Sequence, residues 1–298
     1  MKSKLLKNTI AIVANDAGAA AHIFAWLESG LLNFNECIFC LKGPAAKMFK
    51  LQQPNIELYS LEDALIGATT LISGTGWSSF LEYDARVLAK KKNIKSIAVI
   101  DHWVNYKERF IKNNEEVLPD VIWVSDTYAH KQASQCFPNI EIIEQRNDYL
   151  LKQLEKVNNH KIDRLEKSTN ILYVLEPIRD PWAGNMVAGE YQALDFFINS
   201  IPLLNLGDKF SLILKPHPSD PKNKYEEWLN SINLSNIFIE EEKSLSNLIA
   251  WSDVVVGCET YAMVVAVSAN KRVISSLPKY AHNCRLPYEE IEHLNKVN

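Results

Sequence analysis

The stretch Leu212–Asp220, LILKPHPSD, decides how the second half of the chain folds. The apolar run Phe210–Leu214 predicts a buried strand, and the prolines after Lys215 end it because each fixes φ and removes an amide donor. The resulting stiff loop lies at the carboxyl end of its strand, where open α/β sheets bind ligands. Lys215 is a point charge suited to a phosphate, and His217 can donate a hydrogen bond to one. The pattern predicts an anion site; the alternative is a lysine ending the strand in solvent and a histidine capping a turn.

Length and composition indicate an ordinary globular chain. The 298 residues suffice for two domains, and 47% hydrophobic with 23% charged residues is typical of soluble proteins. The net charge of −4 provides no basic field for nucleic acid. No run approaches the ~20 apolar residues that span a bilayer. The apolar run near the N-terminus stops at Asp16, too early for a signal peptide. We therefore expect a cytoplasmic protein.

The cysteines and acidic residues do not predict a metal. Five cysteines in a chain of this length do not form a disulfide framework. Cys37 and Cys40 form a CxxC pair, but CIFCL is typical of a strand, on which residues three apart face opposite sides. We therefore expect buried, reduced thiols. The sequence holds no DxD triplet, so a metal clamp on a diphosphate is not indicated and no metal cofactor is expected.

Strand and helix patterns alternate through both halves of the chain, which predicts an α/β protein with two parallel-sheet domains. The first unit is the strand Asn8–Ala14, followed by the small-residue turn Asn15–Ala20 and a helix, as in Rossmann-like folds. Asp16 in this turn either caps the helix or has a catalytic role. The polar segment Gln153–Lys167 marks the domain boundary. The predicted parts are an N-terminal domain over 1–155, a C-terminal domain over 168–280 and a final helix over 281–298.

Asp101 and His102 directly follow the predicted buried strand Ile94–Ile100. A carboxylate at the end of a central strand is well placed to act as a general base. The alternative is that Asp101 caps a turn and His102 packs under Trp103.

Two further strand ends carry candidate ligand-binding residues. Thr260 follows a core strand and begins a helix, where amides and the helix dipole favour a phosphate. Its neighbour Glu259 would repel a phosphate but could accept from ribose hydroxyls, or it caps the helix. Arg179, after the first strand of the second half, either reaches a phosphate or pairs with Asp180 or Glu176.

The KPHP loop at a strand end resembles the HP motif of bacterial sialyltransferases and polysialyltransferases, and similar motifs occur in Kdo transferases and CDP-glycerol glycerophosphotransferases. The resemblance implies the GT-B fold, with two Rossmann-like domains facing a cleft and a final helix that crosses back to the first domain. It also implies a CMP- or CDP-activated donor. The absence of DxD fits a CMP donor with its single phosphate.

The same resemblance assigns roles to individual residues. Asp101 matches the acidic base, but His102 replaces the glycine that often follows it, which leaves open whether Asp101 or His102 is the base. Thr260 matches half of a hydroxyl pair that holds the CMP phosphate, and Glu259 replaces the other half. Glu240 or Glu241 matches an acid that contacts the nucleoside. The candidate catalytic residues are Asp101, His217, His102 and Asp16, and the candidate nucleotide-binding residues are Lys215, Pro218, Glu259, Thr260, Arg179 and Glu240.

The expected reaction is a metal-independent single displacement. It moves a nonulosonic-acid-type or Kdo-type sugar from CMP to a glycan or glycolipid, with surface-polysaccharide assembly at the inner face of a membrane implied by the resemblance. Two alternatives stay open. One is a nucleotide-sugar hydrolase. The other is a catalytically inactive GT-B domain that binds a glycan or a partner. This alternative stays open because His102 and Glu259 depart from the motifs of the resembled enzymes.

Overall fold

The computed structural model describes residues 9–77, 79–160, 168–206, 209–232 and 234–297. The chain forms two compact units, Met1–Leu151 and Lys152–Asn298. Each unit contains one six-stranded parallel sheet, as the alternating strand and helix patterns predict.

The first unit is built on a sheet that is parallel throughout. Its strands follow one another in the order β2-β1-β3-β4-β7-β8. The direction of strand addition reverses between β1 and β3, which makes the carboxyl ends of these two strands the expected ligand position. The strands are β1 (Ile10–Ala14), β2 (Cys37–Leu41), β3 (Thr70–Ser73), β4 (Lys95–Val99), β5 (Ile111–Lys112), β6 (Glu115–Glu116), β7 (Val121–Val124) and β8 (Glu141–Glu144). The helices are α1 (Ala17–Glu28), α2 (Gly43–Gln52), α3 (Leu61–Ala64), α4 (Leu81–Lys91) and α5 (Thr127–Cys136). Helix α6 (Asp148–Asn158) contains the boundary between the two units.

Both faces of this sheet are buried, which explains why its strands read as continuous apolar runs rather than as alternating ones. Ile12 and Phe39 pack into the core on one face, whereas Val13 and Leu71 pack into the core on the other. Cys37 and Cys40 contact opposite cores, which confirms that the CxxC pair is split across the sheet.

The second unit has the strand order of dinucleotide-binding folds. Its sheet runs β11-β10-β9-β12-β13-β14, and the reversal falls between β9 and β12. The strands are β9 (Thr169–Val174), β10 (Phe210–Lys215), β11 (Ile237–Ile239), β12 (Val254–Gly257), β13 (Arg272–Ser275) and β14 (Ile291–His293). The helices are α7 (Gly189–Ser200), α8 (Glu226–Ser231), α9 (Leu245–Trp251) and α10 (Tyr261–Ser268).

The predicted C-terminal helix over 281–298 is wrong for the residues described there. Ile291–His293 forms the edge strand β14, which pairs parallel with β13, and a short 3-10 turn follows. Leu294 is buried in the core of the second sheet. Pro278 and Pro287 interrupt any helical pattern in this region, and Ile291–His293 extends the sheet instead.

Two local predictions and one unpredicted element also separate the sequence pattern from the structure. The residues Ile56–Tyr59 (IELY) predict a short strand, but the structure has none there: their amides make a single bond to β2, from Tyr59 to the Phe39 carbonyl, and the chain turns at once into α3. Helix α6 extends to Asn158 and so occupies part of the predicted linker, of which 161–167 lie outside the described residues. The hairpin β5–β6 was not predicted; its two turn residues, Asn113 and Asn114, both have positive φ, as a type I′ turn requires.

Across the described parts of the chain, the structure contains no helix with the length and hydrophobicity needed to cross a bilayer.

Leu212, in the middle of β10, is fully buried. We expect Leu212→Ala to lower the free energy of unfolding by about 2–5 kcal/mol, since the substitution removes apolar contacts and leaves a cavity. Leu203→Ala is the control because Leu203 is 52% exposed, and its cost should stay within ~0.5 kcal/mol. Urea titration of both variants measures the difference. Equal losses would show that β10 is not part of the core.

Candidate functional site

The KPHP loop leaves β10 after Lys215 and is anchored by one buried carboxylate. Asp220 has no exposed side-chain surface, and its Oδ2 accepts hydrogen bonds from the His217 amide at 3.0 Å and the Tyr225 hydroxyl at 3.1 Å. The loop is therefore rigid both by its prolines and by its anchor. Pro218 lies on its exposed side.

Arg179 belongs to the network around this anchor. Its guanidinium donates to Glu190 Oε1 at 2.6 Å and to Asp220 Oδ1 at 2.5 Å. Lys224 donates to the same two carboxylates. Burial opposes ionisation of Asp220, but the bonds from Arg179 and Lys224 outweigh it and hold its pKa below the usual range. The structure thus gives Arg179 two carboxylate partners, neither of them the predicted Asp180 or Glu176.

His217 and Lys215 line a cavity of about 220 Å³ at the end of β10. The Ser219 amide donates to His217 Nδ1 at 3.1 Å, so the proton of the neutral ring lies on Nε2. Burial lowers the pKa of His217, which favours this neutral form at pH 7. Lys215 Nζ donates to the Glu241 carbonyl at 2.7 Å, and burial lowers its pKa. One of its three N–H donors is thereby used.

The acidic run after β11 lies close to the same loop. Glu241 and Glu242 line the cavity, and Glu241 Oε1 accepts from the Asn223 amide. Glu240 instead closes a turn, accepting from the amides of Glu242 at 2.9 Å and Lys243 at 3.0 Å. The Lys243 amide bond is the main reason that the pKa of Glu240 is lowered.

The N-terminus of α10 holds an anion supplied by the protein itself. Glu176 Oε1 accepts hydrogen bonds from the amides of Cys258, Glu259 and Thr260, at 2.7, 2.9 and 3.1 Å. This is the position where the sequence predicts a phosphate, at the reversal between β9 and β12. Burial raises the pKa of Glu176 to about 7, and the charge of Glu259 adds to the effect. Thr260 acts as N-cap, its hydroxyl accepting from the Ala262 amide.

Glu259 points away from these amides into a basic pair. It accepts from His282 Nε2 at 2.9 Å and from the Arg285 amide and guanidinium. Burial opposes its ionisation, but these bonds outweigh burial and keep its pKa low. Its charge is therefore already compensated, which is why a carboxylate is tolerated beside the start of α10.

In the first unit, Asp101 follows β4 and lies against the start of α1. Arg109 Nη1 donates to Asp101 Oδ1 at 3.1 Å and to Thr75 Oγ1 at the same distance. A Cβ atom added to Gly18 would lie 1.7 Å from Asp101 Oδ2. Only a glycine at position 18 leaves room for this carboxylate, so the small-residue turn predicted after β1 has a specific steric reason.

Asp16 lies in the turn between β1 and α1, and the buried carboxylate of Glu82 positions it through Asn15. Glu82 Oε1 accepts from the Asn15 amide at 2.7 Å, and Asn15 Nδ2 donates to Asp16 Oδ1 at 2.8 Å. Glu82 is only 1% exposed, and burial raises its pKa. Asp16 is at the N-cap position of α1, but its side chain makes no capping bond there. A Cβ on Gly76 would lie 2.0 Å from Asp16 Oδ2.

His102 packs against Trp103, with their ring centroids 5.4 Å apart. Trp103 is buried and its indole N–H donates to Asp126. This is the packing arrangement that the sequence leaves as the alternative for His102, whereas Asp101 is held by Arg109 rather than in a cap.

Three residues that matter to these sites were not among the sequence candidates. Arg109 lies in a short 3-10 helix and Glu82 in α4, and charged residues in such elements are usually exposed. Glu176 was considered only as a surface partner of Arg179. Its position directly after the central strand β9 was the available signal, since that strand borders the reversal of the sheet.

The comparisons with known proteins identify the fold. No protein-family model and no curated protein matches the sequence. Among solved structures, the UDP-GlcNAc 2-epimerase from Neisseria meningitidis bound to UDP-GlcNAc matches with a TM-score of 0.64 at 14% identity, over 95% of this chain and 86% of that one. A putative UDP-N-acetylglucosamine 2-epimerase from Listeria monocytogenes matches with a TM-score of 0.60 at 12% identity, over 92% of this chain and 80% of that one. The glycotransferase of kitacinnamycin matches with a TM-score of 0.55 at 11% identity, over 98% of this chain and 87% of that one.

At these identities the likeness establishes the fold alone. The chain is an α/β protein with the GT-B fold, in which each unit is a Rossmann-like parallel sheet. The predicted fold class is thereby confirmed.

Gly18→Ala should displace the Asp101 carboxylate from its bond with Arg109. We expect a loss of about 1–3 kcal/mol in the free energy of unfolding, typical of inserting a methyl group into a filled space. In an Asp101→Ala background the same change should cost less than ~0.5 kcal/mol or stabilise, because alanine is the better helix residue. Chemical denaturation of the four proteins gives the coupling energy. An equal cost in both backgrounds would contradict the contact.

The raised pKa of Glu176 predicts a pH-dependent stability. Between the usual value of 4.5 and about 7, the native state holds more protons on this group than the unfolded chain does, so its contribution to stability falls as pH rises. The unfolding free energy of the wild type, relative to Glu176→Gln, should therefore decrease across this window. Glu240→Gln is the control of opposite sign, because a lowered pKa makes the contribution fall as pH falls. A flat difference for Glu176→Gln would refute the raised pKa.

Proposed function

We propose that the protein is a glycosyltransferase that uses a nucleotide-activated sugar, and that its second unit binds the nucleotide. The observation that carries the proposal is the KPHP loop. It is locked by buried Asp220 at the end of β10, beside the strand that borders the reversal of a dinucleotide-type sheet. Ligands of Rossmann-like sheets bind at this edge, and the loop presents an ammonium and an imidazole N–H there.

We further propose a CMP-activated donor. The amides at the start of α10, which suit a phosphate, are already bound to Glu176. The KPHP loop then supplies the phosphate contacts, from the Lys215 ammonium and the Nε2–H of neutral His217, with Glu241 and Glu242 beside it. A donor with one phosphate places less negative charge in such surroundings than a diphosphate does. This argument concerns the phosphate contacts alone and favours CMP over UDP there, because a nonulosonic-acid or Kdo sugar carries a further charge on its own carboxylate. We propose sugars of that type from the resemblance of the KPHP loop to the HP motif.

The proposed chemistry is a single displacement. The acceptor hydroxyl oxygen attacks the anomeric carbon, the bond from that carbon to the phosphate oxygen breaks, and the hydroxyl proton passes to Asp101 as general base. Arg109 orients the Asp101 carboxylate. The departing phosphate gains negative charge, which the Lys215 ammonium and the Nε2–H of neutral His217 stabilise. No step requires a metal, and the acceptor is a glycan or glycolipid.

A second candidate is a UDP-sugar epimerase. It is favoured by the match of two epimerases to more than nine-tenths of this chain. Epimerisation changes the configuration of the donor sugar with no acceptor present, whereas transfer needs an acceptor. A hydrolase would release free sugar without an acceptor and without epimerisation.

The first test is thermal-shift titration with CMP, CDP, UMP, UDP and GDP. A ligand that binds only the folded state raises apparent stability, by ~2.7 kcal/mol at a hundred times its Kd. We expect cytidine nucleotides to give the largest shift. His217→Ala should weaken their binding about 10-fold or more, the usual effect of losing a hydrogen bond to a charged group. His160→Ala, an exposed histidine of the same unit, should bind as the wild type does.

The outcomes separate the candidates. Selective stabilisation by uridine nucleotides would refute the CMP donor and favour the epimerase, which UDP-GlcNAc conversion without acceptor would then establish. Shifts that are equal in wild type and His217→Ala would remove the KPHP loop from the site. No shift with any nucleotide would contradict the proposed function and leave the inactive domain as the explanation.

A further inference from the structure

An exposed apolar patch lies near the strand ends of the first unit. Trp77, Phe80 and Ile111 are 46%, 48% and 39% exposed. Lys112 connects their two chain segments: its Nζ donates to the Trp77 carbonyl at 2.9 Å and lies 5.0 Å from the centre of the Phe80 ring. We call Trp77, Phe80 and Lys112 the Trp77 patch.

The patch is held from behind by the same elements that position the carboxylates. The hairpin β5–β6, which carries Ile111 and Lys112, is tied to α4 by a bond from the Tyr83 hydroxyl to the Glu115 carbonyl. Arg86, 2% exposed, donates to the Gly74 and Arg109 carbonyls. These contacts fix both segments of the patch, so its exposed rings are presented by a rigid support.

Two carboxylates adjoin this patch. The Arg109 guanidinium lies 5.8 Å from the centre of the Trp77 indole and donates to Asp101. Gly76, the residue before Trp77, lies so close to Asp16 that a Cβ there would be 2.0 Å from its carboxylate. The indole of half-exposed Trp77 therefore lies beside the guanidinium that holds Asp101, and the backbone just before Trp77 adjoins Asp16.

This combination suits a sugar. A pyranose ring has an apolar C–H face, whose burial against an indole is favourable, and a rim of hydroxyls that donate to carboxylates. We propose that the Trp77 patch binds one pyranose ring of the acceptor glycan, with the C–H face on Trp77 and hydroxyls toward Asp16 and Asp101. The inference rests on the proposed glycosyltransferase function, which it deepens by assigning the acceptor site.

The charge beside the patch argues against the other occupant that exposed aromatic and lysine side chains suggest, an anionic membrane surface. Asp16 would be repelled by anionic headgroups, whereas Arg109 compensates the charge of Asp101. Lys112 already donates to the Trp77 carbonyl, so its charge is directed back toward the protein surface.

Ligand-observed NMR with lactose, N-acetyllactosamine, chitobiose and 3′-sialyllactose tests the proposal. At least one of these sugars should bind the wild type. Trp77→Ala should weaken that binding about tenfold, which corresponds to ~1.4 kcal/mol, while Trp77→Phe should stay within about threefold because it keeps an aromatic face. Tyr59→Ala is the matched control, since Tyr59 is an aromatic residue of the same unit with 42% exposure. Circular dichroism and thermal melts confirm that each variant is folded.

Three results would overturn the inference: no binding of any of the four sugars by the wild type, equal binding by wild type and Trp77→Ala, or equal losses in Trp77→Ala and Tyr59→Ala. A fourth is co-sedimentation of the wild type with phosphatidylcholine–phosphatidylglycerol vesicles that Trp77→Ala abolishes, with no sugar binding. Nucleotide binding by the second unit is measured separately. Sugar binding at Trp77 without nucleotide binding would contradict the proposed function and leave the patch as a glycan site.

Discussion

The candidate site of the second unit depends on the burial of Asp220. Its carboxylate receives hydrogen bonds from a guanidinium, an ammonium, a phenol and a backbone amide, and none of its side-chain surface reaches solvent. Removing one partner from a buried ion pair typically costs ~3–5 kcal/mol because the other charge stays buried. Arg179 follows β9, whereas Lys224 and Tyr225 precede α8. The bonds from His217, Lys224 and Tyr225 to Asp220 are local to the loop, whereas the bond from Arg179 ties the loop to the segment after β9.

The parts of the fold that follow from local chemistry could be predicted from the sequence. Apolar runs between polar turns defined the main parallel strands, and the two prolines after Lys215 placed a rigid loop at the end of β10. The pattern also placed Asp101 at a strand end, where the structure has it. Errors arose where a short segment had two permitted conformations. A helix over 281–298 would have to pass Pro287, and burial of Ile291 and Leu294 in the second sheet favoured an edge strand instead.

The pairing of charges could not be predicted, because it depends on contacts between residues far apart in the chain. Glu176 binds amides more than eighty positions away, and Glu259 binds Arg285 across another loop. In the first unit, Glu82 reaches the Asn15 amide across 67 positions. Local sequence shows that a carboxylate stands at a strand end. It does not show whether an arginine, a set of amides or solvent will compensate its charge, and this decides what the carboxylate can do.

The two units place a carboxylate in a similar position but compensate its charge in different ways. In each, a carboxylate that follows a central strand lies against the start of the helix after another strand of the same sheet: Asp101 against Gly18 of α1, and Glu176 against the amides before α10. Arg109 compensates Asp101 with a full positive charge, whereas amide dipoles alone compensate Glu176. Dipoles offset less of the desolvation of a buried charge than a guanidinium does, and the pKa of Glu176 accordingly rises to about 7. Protonation would weaken the hold of Glu176 on these amides, because charge-assisted hydrogen bonds are stronger than neutral ones.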